Sequence, residues 1–185
     1  FVTFDEREGA HPFTISSASA ADGRLQFLIK ALGDYTRTLA DTLKPGDPVT
    51  VEGPYGRFHF EGTSRRQIWI GAGIGVSPFV ARLKTLAAQP DGRVVDFFHS
   101  TAEVDEEALQ RLEADARAAG VRLHILISTR DGRLTGERLR TLVPDWQQAE
   151  VWFCGPSAFG EALRQDLIGQ GLPAAWFHQE LFEMR

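Results

Sequence analysis

Cysteine is nearly absent from this sequence. One residue in 185, Cys154, is a cysteine, so no internal disulfide can form. No cluster of Cys and His has the spacing of zinc or iron–sulfur ligands, and no metal is expected. Any redox chemistry therefore needs an organic cofactor. Positive charge is also short, with 20 Lys and Arg against 25 Asp and Glu and a net charge of −5. No basic run interleaved with aromatics is present, which argues against a nucleic-acid partner. Long apolar runs are missing too. The longest, Ile68 to Val80, is broken by three glycines and a proline and falls short of the roughly 20 residues that span a bilayer. The chain reads as soluble and cytoplasmic. It opens at Phe1, inside the apolar run Phe1-Val2-Thr3-Phe4 and with no signal-peptide pattern, and so reads as a fragment of something longer.

What is present divides in two. Up to about Gly62 the apolar runs are short and separated by turn residues: Phe1 to Phe4, Pro12 to Ser17, Leu25 to Lys30 and Pro48 to Gly53. That pattern predicts antiparallel strands. One helical stretch, Tyr35 to Leu43, stops at Pro45-Gly46. From Arg66 onward, strand candidates at Ile68–Ile70, Val94–Phe98, Leu123–Ser128, Val151–Phe153 and Ala175–His178 alternate with helical segments. The helices fall near Pro78–Ala88, Glu106–Ala119, Thr135–Leu142 and Ser157–Gln170. Such alternation predicts a parallel sheet covered on both faces. The expected class is α+β with two domains: a partial antiparallel β-barrel over residues 1–62, then an α/β nucleotide-binding domain over 63–185. Polar Gly62-Thr63-Ser64 is the expected junction.

Four short motifs carry chemistry. Ile68 to Phe79, with Gly71, Gly73, Gly75 and Pro78, runs from a buried strand through a glycine turn into a helix. Glycines let the backbone approach a phosphate, and the free N–H groups of a helix start supply donors. The third glycine comes one residue earlier than in the G-x-G-x-x-G dehydrogenase pattern, which disfavours a standard NAD dehydrogenase. His11-Pro12-Phe13-Thr14 ends a strand candidate and offers an aromatic stacking face and one directional hydroxyl. Lys30 to Thr36 is a glycine turn opening a helix whose first N–H groups would be unpaired. Phe153-Cys154-Gly155-Pro156 ends a late strand, at the edge where ligands of open α/β sheets collect. Each alone also fits a plain structural role: a tight turn, an ordinary strand, a capped helix or a buried thiol.

Taken in order, these motifs resemble the ferredoxin reductase superfamily, in the variant carried by ferric reductases and NADPH oxidases. Glu52-Gly53-Pro54-Tyr55-Gly56-Arg57-Phe58 matches the turn that closes the family's flavin domain. The resemblance implies FAD and NADPH or NADH as cofactors. By it, His11 neighbours the FAD phosphates, Phe13 packs along the flavin and Thr14 bonds it near N5. Gly33 and Thr36 take the FAD pyrophosphate, with Lys30 as counter-charge. Gly71, Gly73, Gly75 and Pro78 hold the nicotinamide dinucleotide, and Cys154 and Gly155 approach its ring. Phe182 shields the flavin, with Glu180 as a polar neighbour. Ser128 and Arg130 resemble the pair that receives a 2′-phosphate, which leans the cofactor choice towards NADPH.

The implied reaction is hydride transfer from nicotinamide to flavin, framed by Thr14, Cys154, Glu180 and Phe182, with electrons leaving singly. The expected acceptor is a haem-containing membrane domain or another one-electron partner, as in a ferric reductase-like or NADPH oxidase-like protein, which would put the module on the cytoplasmic face of a membrane. Two alternatives stay open. One is a soluble reductase component of an oxygenase or ferredoxin system; the other is a dinucleotide-binding module without turnover.

Overall fold

The structure, a computed structural model, describes residues 1–18, 22–56 and 58–181. Phe182, expected to shield the flavin, lies outside them.

The N-terminal part contains β1 (Val2–Thr3), α1 (Asp34–Thr42) and β2 (Thr50–Val51). The strands pair antiparallel, Val2 opposite Val51. The segments expected as strands at Pro12–Ser17 and Leu25–Lys30 pair only as the isolated bridge between Ile15 and Phe27, beside which the Gln26 N–H donates to Ser17 Oγ at 3.2 Å. These segments bury little: Leu25 and Leu28 are exposed, as are Val49 and Val51 of the β2 region. Alternation marks a strand only where one face finds a core to cover it, and here few positions do. Val2 and Leu39 are buried, the latter on the inner face of α1.

The second part follows the expected pattern closely. Strands β3 (Arg66–Ala72), β4 (Val94–Thr101), β5 (Arg122–Ile127), β6 (Glu150–Gly155) and β7 (Phe177–Leu181) form a parallel sheet in the order β5-β4-β3-β6-β7. Helices α2 (Ser77–Ala88), α3 (Glu106–Ala118), α4 (Ser128–Asp131), α5 (Gly136–Leu142) and α6 (Ser157–Gly169) connect them. Ile68, Trp69 and Ile70 of the central strand are completely buried because both faces of the sheet are covered. Ile68 and Ile70 pack with Leu139, Leu163 and Leu167 on one face. Trp69 packs on the other with Phe60, Phe79, Phe97 and Trp152. Phe60 comes from the segment leading into β3, so the first part of the chain supplies a wall of the second part's core.

Two local differences have simple causes. The strand expected at Ala175–His178 begins at Phe177 instead, because Ala174–Trp176 form a 3₁₀ turn after Pro173. Proline fixes φ for the first turn of a helix, and the following alanines continue it readily. Ser128 does not end β5 but opens the one-turn α4, whose carboxylate Asp131 accepts a hydrogen bond from the Ile127 amide at 2.9 Å.

Glu150 fastens the polar segment between the parts. Its Oε1 accepts hydrogen bonds from the Thr63 amide at 2.7 Å, the Thr63 hydroxyl at 2.8 Å and the Ser64 amide at 3.0 Å. Gly62 passes so close that a Cβ there would collide with the same carboxylate. Among the described residues no helix is long and apolar enough to cross a membrane.

Candidate functional site

All five parallel strands end at one edge of the sheet, and the strand order reverses direction between β3 and β6. A crevice opens there in folds of this kind. Across that edge the register aligns Ile125, His99, Gly71, Cys154 and Glu180 in a single row. Two widely separated motifs, the glycine turn and the Cys-Gly-Pro segment, are therefore direct neighbours.

The glycines of the turn do different work. Gly71 lies against Val76 and Phe79, and a Cβ there would sit 3.1 Å from each. Gly75 packs on the end of β6, where a Cβ would press into the Cys154 carbonyl. Gly73 has φ +54° with open space around its missing Cβ, so it supplies a left-handed bend at the crevice. Gly73–Val76 form a 3₁₀ turn that leads into α2 without any side-chain cap. Helix α6 also begins uncapped after Pro156, whereas Asp105 caps α3 and Thr135 caps α5. At α2 the Ser77 N–H already donates to the Ile74 carbonyl and Pro78 has no N–H, whereas the first N–H groups of α6 have no side-chain acceptor, a setting that suits an anion.

His99 adds a residue that belongs to none of the sequence motifs. It is buried, and its Nδ1 lies 3.2 Å from the Gly71 carbonyl oxygen. In the tautomer with a proton on Nδ1, the ring donates to that carbonyl and fixes the strand end that leads into the turn. Burial holds the His99 pKa below the usual imidazole value, with the Gly71 bond opposing it. The signal was present in His99-Ser100-Thr101, but strand register was needed to aim it.

Cys154 is fully buried in the aromatic core beside Trp152. Burial pushes its thiol pKa far up, and the charge of Glu180 adds to this. The group is a neutral thiol at the strand end. Glu180 is partly buried, and burial likewise raises its carboxyl pKa. Its Oε1 lies near Gly56 of the Glu-Gly-Pro-Tyr-Gly segment, so the last strand reaches the N-terminal part.

Between the two parts lies a cavity of about 750 Å³, within the range of cofactor sites. Pro12, Phe13, Thr14 and Ile15 line one side, Pro78, Ala81, Arg82 and Thr85 of α2 another, and Glu180 and Tyr55 complete it. The His-Pro-Phe-Thr motif and the helix after the glycine turn therefore face one volume. His11 stands next to it in sequence and stacks on Tyr35 of α1, ring centroids 4.7 Å apart. The buried Nε2 of His11 has no hydrogen-bond partner among the described residues. A buried polar atom without a partner is costly unless a ligand meets it, and here it stands beside the start of α1.

Other expected residues are engaged differently. The Thr36 hydroxyl accepts from the Leu32 and Gly33 amides at 3.1 and 3.0 Å, and so shapes the turn. Lys30 reaches across to Glu103, after β4, at 2.6 Å; its charge is shared between the two parts of the chain. Ser128 and Arg130 are carried by α4 at the end of β5. Arg130 makes a two-point contact with its neighbour Asp131, 2.8 and 2.9 Å, which lowers the Asp131 pKa to about 2. Arg130 follows the outer strand β5 and Cys154 lies on β6, three strands along the same sheet edge.

Known proteins resemble this chain in sequence and in fold. Residues 1–60 match the family model of the oxidoreductase FAD-binding domain. The ferredoxin reductase component of 3-ketosteroid-9-alpha-monooxygenase from Rhodococcus rhodochrous is 25% identical over 177 residues, covering 94% of this chain and 50% of that protein. The reductase subunit of glycine betaine monooxygenase from Chromohalobacter salexigens is 25% identical over 186 residues, covering 92% and 50%. Among solved structures, the flavohem-like FAD/NAD-binding domain of nitric oxide dioxygenase from Vibrio cholerae O1 biovar El Tor superposes with TM-score 0.77. It is 25% identical and covers 92% of this chain and 76% of that one. The chain spans about half the length of the curated relatives it matches.

Proposed function

Starting from a likeness to ferredoxin reductase-like FAD-binding oxidoreductases, we propose that this chain is the electron-input module of a reductase. It accepts hydride from NADPH or NADH onto FAD and passes electrons singly to an acceptor. The observation that carries the reading is the cavity of about 750 Å³, where Phe13 and Thr14 face α2 and Glu180. The proposed domain boundary falls between residues 62 and 63.

In this reading Phe13 stacks on the flavin, Thr14 gives its hydroxyl to the ring and His11 meets the FAD phosphates at the start of α1, with Gly33. Thr36 holds that turn in shape, and Lys30 remains in the proposal as a charge near it. Gly73, Gly75 and Pro78 shape the bend over which the dinucleotide phosphates lie. Cys154 and Gly155 border the nicotinamide, and Ser128 and Arg130 receive a 2′-phosphate. The nicotinamide and flavin rings supply the hydride chemistry. The protein orients them and excludes water, and the neutral Cys154 thiol adds no competing nucleophile.

For the acceptor, the oxygenase reductase components among the relatives favour an oxygenase or ferredoxin partner. That was the second reading of the sequence. The ferric reductase and NADPH oxidase link, with its haem-bearing membrane domain, has no such support. These 185 residues hold no cluster of Cys and His with iron–sulfur spacing, so the cluster such a system uses would lie outside them.

The experiment is anaerobic reduction. The purified protein is reconstituted with FAD, and NADPH or NADH is added while the visible absorbance of the oxidised flavin is followed. Bleaching supports the reductase; failure to take up FAD, or flavin that stays oxidised with both nucleotides, sinks it.

A further inference from the structure

Arg82 belongs to none of the motifs, yet it stands in the cavity wall. It projects from α2 and lines the cavity together with Pro78, Ala81 and Thr85, facing the side built by Phe13 and Thr14. It is the one Lys or Arg among the described residues that line this volume. Its guanidinium lies over the Phe60 ring, 5.9 Å from the centroid, and its Nη2 bonds Asp91 at 2.5 Å.

That ion pair does not neutralise it. Asp91 also pairs with Arg93 at 2.9 Å, so one carboxylate serves two guanidiniums and a positive charge is left over. The buried Nε–H of Arg82 has no hydrogen-bond partner among the described residues. An unmet charged donor in a low-dielectric wall is expensive unless a ligand satisfies it. The pyrophosphate is a poor candidate for that ligand, because His11, Gly33 and Thr36 lie outside the lining that Arg82 shares with Phe13 and Thr14.

The chemistry supplies an anion at this place. Hydride transfer moves one proton and two electrons from the nicotinamide to the flavin, so the dinucleotide ring becomes a cation and neutral oxidised flavin becomes an anion. We propose that Arg82 is a cofactor-binding residue whose guanidinium stabilises the negative charge the flavin gains on two-electron reduction. The proposal rests on the cavity being the flavin site.

The test uses FAD-loaded protein, with the two-electron midpoint potential read by dye-coupled reduction and oxidised-FAD affinity read by fluorescence. Arg82→Gln is expected to lower the affinity for reduced over oxidised flavin about 10- to 100-fold, the size of one charge-assisted contact. The midpoint then falls by about 30–60 mV, at 30 mV per tenfold. Oxidised-FAD affinity stays within about threefold, since the lost contact belongs to the reduced form. Arg82→Lys restores most of the potential. Asp91→Asn breaks the same ion pair but keeps the cation, and its potential does not fall. A Gln variant with an unmoved potential, equal weakening of both redox states, or the same fall in Asp91→Asn would overturn the assignment. A wild-type chain that takes up no FAD overturns the flavin site itself, an outcome distinct from a loaded protein with an unmoved potential.

Discussion

Gly75 and Gly73 sit two residues apart in one turn, and replacing each by alanine separates two reasons for glycine. At Gly75 a Cβ would lie 2.6 Å from the Cys154 carbonyl carbon and 3.0 Å from the Gly155 amide nitrogen. Carbon contacts normally settle near 3.5–4.0 Å, so the shortfall is about 1 Å. The opposing atoms are all backbone, and no side chain can rotate away. Helix α2 must back off from the end of β6, against Phe79 and Leu83, which are completely buried. Overpacking of this kind costs about 1–3 kcal/mol, and more where only backbone can yield; about 3 kcal/mol is the expected loss at Gly75. At Gly73 nothing stands within 4 Å, but φ is +54°, and the left-handed conformation costs a non-glycine residue about 1–2 kcal/mol. Urea denaturation of both variants, with dinucleotide binding measured alongside, checks the difference. Equal stabilities, or a Gly75→Ala protein as stable as wild type, would refute the claim that Gly75 exists for close packing of the turn on β6.

Three further outcomes follow from the same geometry. Glu150→Ala strands the Thr63 and Ser64 donors and costs about 3 kcal/mol in denaturant unfolding. Burial raises the Glu150 pKa, but hydrogen bonds from the Ser64 amide and from the Thr63 hydroxyl and amide outweigh it and depress the value. Its contribution is therefore complete above the unfolded carboxyl value of about 4.3 and is lost as pH falls through the lower folded value; an acid unfolding curve that is unchanged in Glu150→Gln would contradict this. Cys154 should resist alkylation in native protein at pH 8 and react once urea unfolds it, since a buried neutral thiol is a poor nucleophile; rapid native labelling would show that it reaches solvent. Arg130→Ala should weaken NADP⁺ binding about tenfold while leaving NAD⁺ within about twofold, the size of one phosphate contact, and titration with each nucleotide decides it.

The parallel half of this molecule was readable because its central strands are buried on both faces, so Ile68-Trp69-Ile70 and Val151-Trp152-Phe153 stand out as unbroken apolar runs. The antiparallel half was read less well for the opposite reason. Its runs alternate without a core to fix them, and among the described residues only Val2–Thr3 and Thr50–Val51 become strands. Motif residues could be found one by one in the sequence, but partnerships between distant segments could not. Lys30 looked like a free counter-charge because Glu103 lies 73 residues away. His99 stood in no motif because only strand register sets it against Gly71. Arg82 looked like one more helix residue, since nothing in Phe79-Val80-Ala81-Arg82 says which face meets the other half of the chain. Periodicity reports what is buried, whereas a site built between two parts depends on which buried polar groups remain without a partner. Arg82 Nε and His11 Nε2 are two such atoms, one in the cavity wall and the other beside the start of α1, and they are where cofactor contacts should be sought first.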